Sequence, residues 1–140
     1  MTNQTKSATF RHLEVKFSQY PRYRHLIALR RAELSYHPSD DESLSFSKST
    51  AVANKNEMAI VKVVDDPKLK SYYRYLDAIE STLKEFDEPT RQIIGDKYWG
   101  PDSWMTWAKF GEKVNYSPRQ LYRLRDKVIE LFADKLGEDI

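Results

Sequence analysis

Prolines stand in this chain where helices should begin. Of its six prolines, Pro21, Pro67, Pro89 and Pro118 each head a run whose apolar residues recur every three or four positions. Proline fits the first turn of a helix, where its missing N–H would find no partner in any case. Only four glycines interrupt the chain. That spacing and punctuation predict an all-α fold. Thr9 is placed to cap a first helix in which Phe10, Leu13 and Phe17 share a face. Tyr20-Pro21 ends it, because the residue before a proline is pushed away from helical angles. A second helix carries Tyr23, Ile27 and Leu34, flanked by Leu26, to about Tyr36.

Residues 37–56 are polar, Ser-rich and weakly periodic, which predicts a linker or a partner-ordered loop. The short apolar stretch 57–65 (EMAIVKVVD) suits a helix or a strand, and a helix is the expectation here. Asp65-Asp66-Pro67 opens a clear helix. There Leu69, Tyr72, Leu76, Ile79, Leu83 and Phe86 fall at spacings of 3, 4, 3, 4 and 3. Asp87-Glu88-Pro89 opens the next, through Ile93 and Ile94 to Tyr98, and Gly100-Pro101 stops it.

Composition removes several functional classes. The chain has 140 residues, 31% of them charged, and a mean hydropathy of −0.73. A soluble, ordered protein of one or two small domains follows. No cysteine is present, which excludes disulfides, thiolate nucleophiles and Cys-bound zinc, and suits a reducing cytoplasm. No apolar run approaches the length of a membrane span, and MTNQTKSATF does not read as a signal peptide. His12, His25 and His37 lie 13 and 12 residues apart, not at the i, i+4 spacing of a helical metal site. Asp40-Asp41-Glu42 is a solvated acidic run. With no Gly-rich phosphate loop either, the expectation is a protein without catalytic residues, metal or cofactor. No small-molecule substrate or membrane partner is expected. The net charge of +2 decides nothing about nucleic acid by itself.

The distribution of charge is more informative. Residues 106–132 (TWAKFGEKVNYSPRQLYRLRDKVIELF) read as a helix-turn-helix fixed by Gly111, Asn115 and Leu121. The first must be small where two helices cross, the second must tolerate a left-handed turn, and the third packs one helix on the other. Phe110, Val114, Tyr116 and Leu124 complete that small core. Ser117, Pro118 and Gln120 form a capped helix start with an S-x-x-Q box. Behind it Leu121, Leu124, Val128, Leu131 and Leu136 face inward, leaving Arg119, Gln120, Tyr122, Arg123 and Lys127 outward. Between Lys109 and Lys127 six basic residues oppose Glu112 and Asp126, a local +4 in 19 residues. Residues 67–140 as a whole hold 13 basic and 13 acidic side chains, so the positive charge is concentrated in this stretch. Arg pairs with guanine and Gln with adenine through two bonds each. Flanking Lys and Arg hold phosphates. The expected DNA-binding set is Lys109, Lys113, Ser117, Arg119, Gln120, Tyr122, Arg123 and Lys127, with helix 117–135 in the major groove. Arg125 sits on the flank, where it either holds a phosphate or pairs with a nearby acid.

Residues 83–136, through "EFDEPTRQIIGDKYW" and "SWMTWAKFGEKVNYSPRQLYRLRDKVIELF", resemble region 4 of bacterial sigma factors. With "YPRYRHLIALRRAEL", "SKSTAVANKNEMAI" and "VIELFADKLGEDI" added, about four-fifths of the chain resembles the RinA/ArpU-type phage transcriptional regulators. The resemblance implies a phage or prophage activator of late genes, those for packaging and structural proteins, acting in the host cytoplasm. It implies double-stranded DNA as partner, with host RNA polymerase or a second copy as further partners.

The expected organisation is a helical N-terminal region, 1–66, for self-association or partner contact, and a DNA-binding domain, 67–140. Two other readings stay open: a small terminase-like packaging adaptor, and a sigma-like module that binds polymerase. Elsewhere the ordinary structural role is expected. Trp99, Trp104 and Trp107 should pack in the core, and Tyr72 should face inward while Tyr73, Arg74 and Tyr75 are wet. Arg22, Arg24, Arg30 and Arg31 should form a solvated helix face.

Overall fold

The computed structural model describes residues 3–36 and 65–140. The described residues form six helices and no strand, so the chain is all-α as the periodicity predicts. They are α1 (Asn3–Ser18), α2 (Tyr20–Ser35), α3 (Pro67–Leu83), α4 (Glu88–Tyr98), α5 (Trp107–Val114) and α6 (Pro118–Leu136). The expected loop 37–56 and the apolar segment 57–64 lie outside the described residues. One expected boundary is corrected: Thr9 is an interior residue of α1, which starts at Asn3.

The chain gathers into two compact units, Met1–Pro21 with Arg74–Ile140, and Arg22–Tyr73. In the smaller unit Tyr23, Ile27 and Leu69 are buried, and the Tyr23 and Tyr72 rings lie 6.3 Å apart. Asp66 starts α3 by accepting the Leu69 N–H at 3.0 Å. It is also buried, and an ion pair makes that tolerable. Arg30 donates Nε and Nη2 to the two Asp66 oxygens at 3.0 and 2.6 Å, and Nη1 to Glu33 at 2.9 Å. The Arg30 bonds, aided by the Leu69 amide, outweigh burial and hold the Asp66 carboxyl down to about 2. Arg30 is thus an internal ligand of the fold and not part of a solvated basic face. Arg31 in turn reaches the Tyr73 hydroxyl at 3.1 Å.

The larger unit is built around Phe17 of α1. Its ring meets Tyr98 at 5.0 Å, Trp99 at 5.2 Å and Phe132 at 5.5 Å, and Trp99 Nε1 donates to the Phe17 carbonyl at 3.2 Å. Leu13, Ile79, Ile94, Phe110, Leu121, Val128, Ile129, Phe132 and Ala133 fill the surrounding core. Apart from Ala133, each of these fully buried side chains contributes roughly 1.5–3 kcal/mol. The buried Thr82 hydroxyl is satisfied by the Ala78 carbonyl at 2.7 Å. α1 therefore shares a core with α6, although the two lie on opposite sides of residue 66 in the sequence.

Three expectations about packing are corrected. Trp99 and Trp107 do pack, Trp107 edge-on to Tyr98 at 5.7 Å, but Trp104 is 74% exposed. Trp104 falls in the turn before α5, where no helix backs it. Tyr75 is not wet: its ring centre lies 6.3 Å from that of Phe132, and Lys16 Nζ lies 5.6 Å from it. The buried stripe of α6 also runs wider than its leucines, taking in Ile129, Phe132 and Ala133, whereas Leu124 and Leu131 are half-buried. Helices from two sides cover α6, so a broad arc of it faces inward.

Candidate nucleic-acid interface

The tip of the larger unit is α5, a three-residue connection and α6. Thr106 caps α5, its Oγ1 accepting the Lys109 N–H at 3.3 Å. The helix stops at Asn115, whose φ of 61° is the one left-handed non-glycine backbone among the described residues. Asn accepts that conformation at lower cost than other side chains do. The Gly111 carbonyl then accepts the Tyr116 N–H at 2.9 Å. Gly111 itself is required by contact. A Cβ there would lie 2.7 Å from the Tyr116 carbonyl oxygen and 3.1 Å from Leu121 Cδ1. Leu121 and Phe110 are fully buried beside it, while Val114, Tyr116 and Leu124 are half-buried.

α6 begins with both bonds of a capping box. Gln120 N–H donates to Ser117 Oγ at 3.1 Å, and Ser117 N–H donates to Gln120 Oε1 at 2.9 Å. This has a chemical consequence for Gln120. A two-bond contact to adenine uses the amide oxygen as acceptor, and here that oxygen is already engaged. Gln120 presents its NH2 group alone, and Ser117 its hydroxyl proton.

The structure brings the expected residues onto the outside of this tip. Lys109, Lys113, Ser117, Arg119, Gln120, Arg123 and Lys127 are exposed, and Tyr122 is 41% exposed. They are not equivalent. Arg119 and Arg123, one turn apart, make no hydrogen bond or ion pair with another described residue. Lys113 donates to Asp102 at 2.6 Å, and Lys127 lies 5.6 Å over the Phe86 ring. Arg125 is turned aside, half-buried and paired with Asp126 at 3.0 Å.

The outer stripe of α6 changes sign along its length. Arg119, Arg123 and Lys127 are followed on the same face by Glu130 and Asp134, at spacings of 4, 4, 3 and 4. Nineteen residues make α6 about 28 Å long. Its first half is basic and its second acidic. The acidic half was not singled out from the sequence, although its i, i+4 spacing carried the signal. Among the described residues no group of three or more His, Asp or Glu is arranged to hold a metal ion. No described helix is long and apolar enough to cross a membrane.

The molecule is a small all-helical protein that presents a capped, basic helix face at one end of an aromatic core. Residues 17–134 match the family described as "Protein of unknown function (DUF722)", and the chain belongs to that family. It is similar to the transcriptional activator rinA of Staphylococcus phage phi11, with 24% identity over 136 residues that cover 96% of this chain and 94% of that protein. The RinA-type kinship read from the sequence therefore holds. No solved structure matches the chain significantly.

Proposed function

We propose that the protein is a sequence-specific DNA-binding regulator of transcription, of the phage or prophage type, without enzymatic activity. In this reading α5, the turn at Asn115 and α6 act as a helix-turn-helix of the sigma region-4 kind. The observation that carries it is the pair Arg119 and Arg123, exposed, without a hydrogen-bond or ion-pair partner among the described residues, and set on a helix whose start is fixed by a capping box. A helix inserted by its N-terminal turns presents such residues to base edges. Lys109, Lys127 and, after release from Asp102, Lys113 hold phosphates, and the Ser117 hydroxyl adds a further donor. The sign change along α6 supports an end-on entry, since its acidic half is repelled by the phosphate backbone.

The similarity to a protein named as a phage transcriptional activator supports activation as the outcome. The targets in this reading are late packaging and structural genes, and the smaller unit serves self-association or contact with host RNA polymerase. Selection from a randomised duplex pool tests the proposal: one enriched motif is the expected result. A pool that shows no enrichment at physiological salt refutes it.

A further inference from the structure

The geometry points to Arg125 as a positioning residue for the DNA-facing start of α6, held in place by Phe10 of α1. This rests on the DNA-binding reading above and adds α1 to it. The Arg125 guanidinium carbon lies 5.2 Å from the Phe10 ring centre and 5.0 Å from the Tyr122 ring centre. Both distances fall within the range of cation–π attraction. Its Nε and Nη2 both donate to Asp126 Oδ1, at 3.2 and 3.0 Å. The side chain is 28% exposed. A planar cation bounded by two rings and already paired with a carboxylate is poorly placed to take a phosphate. It is well placed to fix Tyr122, which stands one turn before it on α6.

The clamp is anchored. Phe10 belongs to the helix whose Leu13 and Phe17 are fully buried in the core shared with α6. Tyr122 lies between Arg119 and Arg123 in sequence, so restraining its ring restrains the surface those two arginines share. Lysine cannot replace Arg125 here, because its compact ammonium lacks the planar, forked shape that stacks and pairs at once. Small errors in the direction of reading side chains are costly to recognition. In this arrangement α1 contributes to specificity while touching no DNA.

The test uses the full-length protein with Phe10→Leu, Phe10→Trp and Arg125→Lys. Each is titrated with the selected duplex and a scrambled duplex across a salt series. Phe10→Leu and Arg125→Lys should each lower the ratio of specific to non-specific affinity by about tenfold. Non-specific affinity and the salt slope should stay as in wild type, and Phe10→Trp should restore the ratio. Arg125→Lys with full specificity overturns the inference, as does a salt slope reduced by about one, the mark of a lost phosphate contact. A readout without DNA separates this inference from the reading it rests on. In the free protein the Arg125 side-chain proton resonances should be displaced by the two rings, and Phe10→Leu should move them toward unstacked arginine values. Wild-type resonances already at those values overturn the clamp. A wild type that does not distinguish the duplexes overturns the DNA reading and the positioning role with it, whatever the resonances show.

Discussion

The two halves of α6 divide the labour of the molecule. Residues 128–136 place Val128, Ile129, Phe132, Ala133 and Leu136 in the core and turn Glu130 and Asp134 outward. Residues 118–127 bury Leu121 alone and turn Arg119, Gln120, Tyr122, Arg123 and Lys127 outward. One half is held by the fold and the other is presented by it. What makes this workable is that a helix is stiff over its whole length. Anchoring its second half, and fixing its start through Ser117 and Leu121, sets the direction of every side chain between them. Under the DNA-binding proposal, stability and recognition come from different residues of one element, and mutations should separate them.

Phe132→Ala is expected to act on the anchored half and to have the largest effect. It removes a ring that contacts both Phe17 and Tyr75, at a cost of about 3–5 kcal/mol. Urea denaturation followed by circular dichroism would show the shift in midpoint. Gly111→Ala should come next, at about 1–3 kcal/mol, because the new Cβ meets backbone that cannot move aside easily. Its DNA affinity should fall together with its stability. A Gly111→Ala protein of unchanged midpoint would show that the turn can open to admit a Cβ beside the Tyr116 carbonyl.

On the presented half the order of effects reverses. Arg123→Ala should leave the unfolding free energy within about 0.5 kcal/mol of wild type, yet weaken binding to the selected duplex by about 1–3 kcal/mol. In the turn before α6, outside that half, Asn115→Ala should cost about 1–2 kcal/mol for a left-handed backbone, and Asn115→Gly should not. The pair of variants isolates backbone strain from side-chain contacts. The smallest effect belongs to the other unit. Asp66 is held near 2 by Arg30, so its folded carboxyl lies below the ordinary value near 4. Its contribution is complete above that ordinary value and is lost as pH falls from about 4 toward 2. Wild type and Asp66→Asn, compared by denaturation across that interval, should converge at its lower end.

Much of the tip was legible from the sequence because its determinants are local. Ser117, Pro118 and Gln120 specify a helix start within four residues, and Asn115 a turn within one. The required smallness of Gly111 follows from the spacings of four and six that join Gly111, Asn115 and Leu121. Features that depend on contacts between distant segments were not legible. Nothing near Arg30 announces Asp66 as its partner, and nothing near Trp104 says that no helix covers it. The capping role of Gln120 is legible in the S-x-x-Q spacing, but its conflict with adenine recognition emerges only from the bond that engages its amide oxygen. Phe10 and Arg125 are separated by more than a hundred residues, and only the packing of α1 on α6 brings them together.

The central claim is that the basic half of α6 reads sequence and does more than attract phosphate. The most direct measurement is the affinity of wild type and Arg123→Ala for the selected and scrambled duplexes, each across a salt series. Wild type should prefer the selected duplex by at least about 10³-fold. Arg123→Ala should lose roughly tenfold or more of that preference while the salt slope changes by about one or less. Equal affinity of wild type for both duplexes, with a steep salt slope shared by the variant, would contradict the account and reduce the patch to a non-specific electrostatic surface.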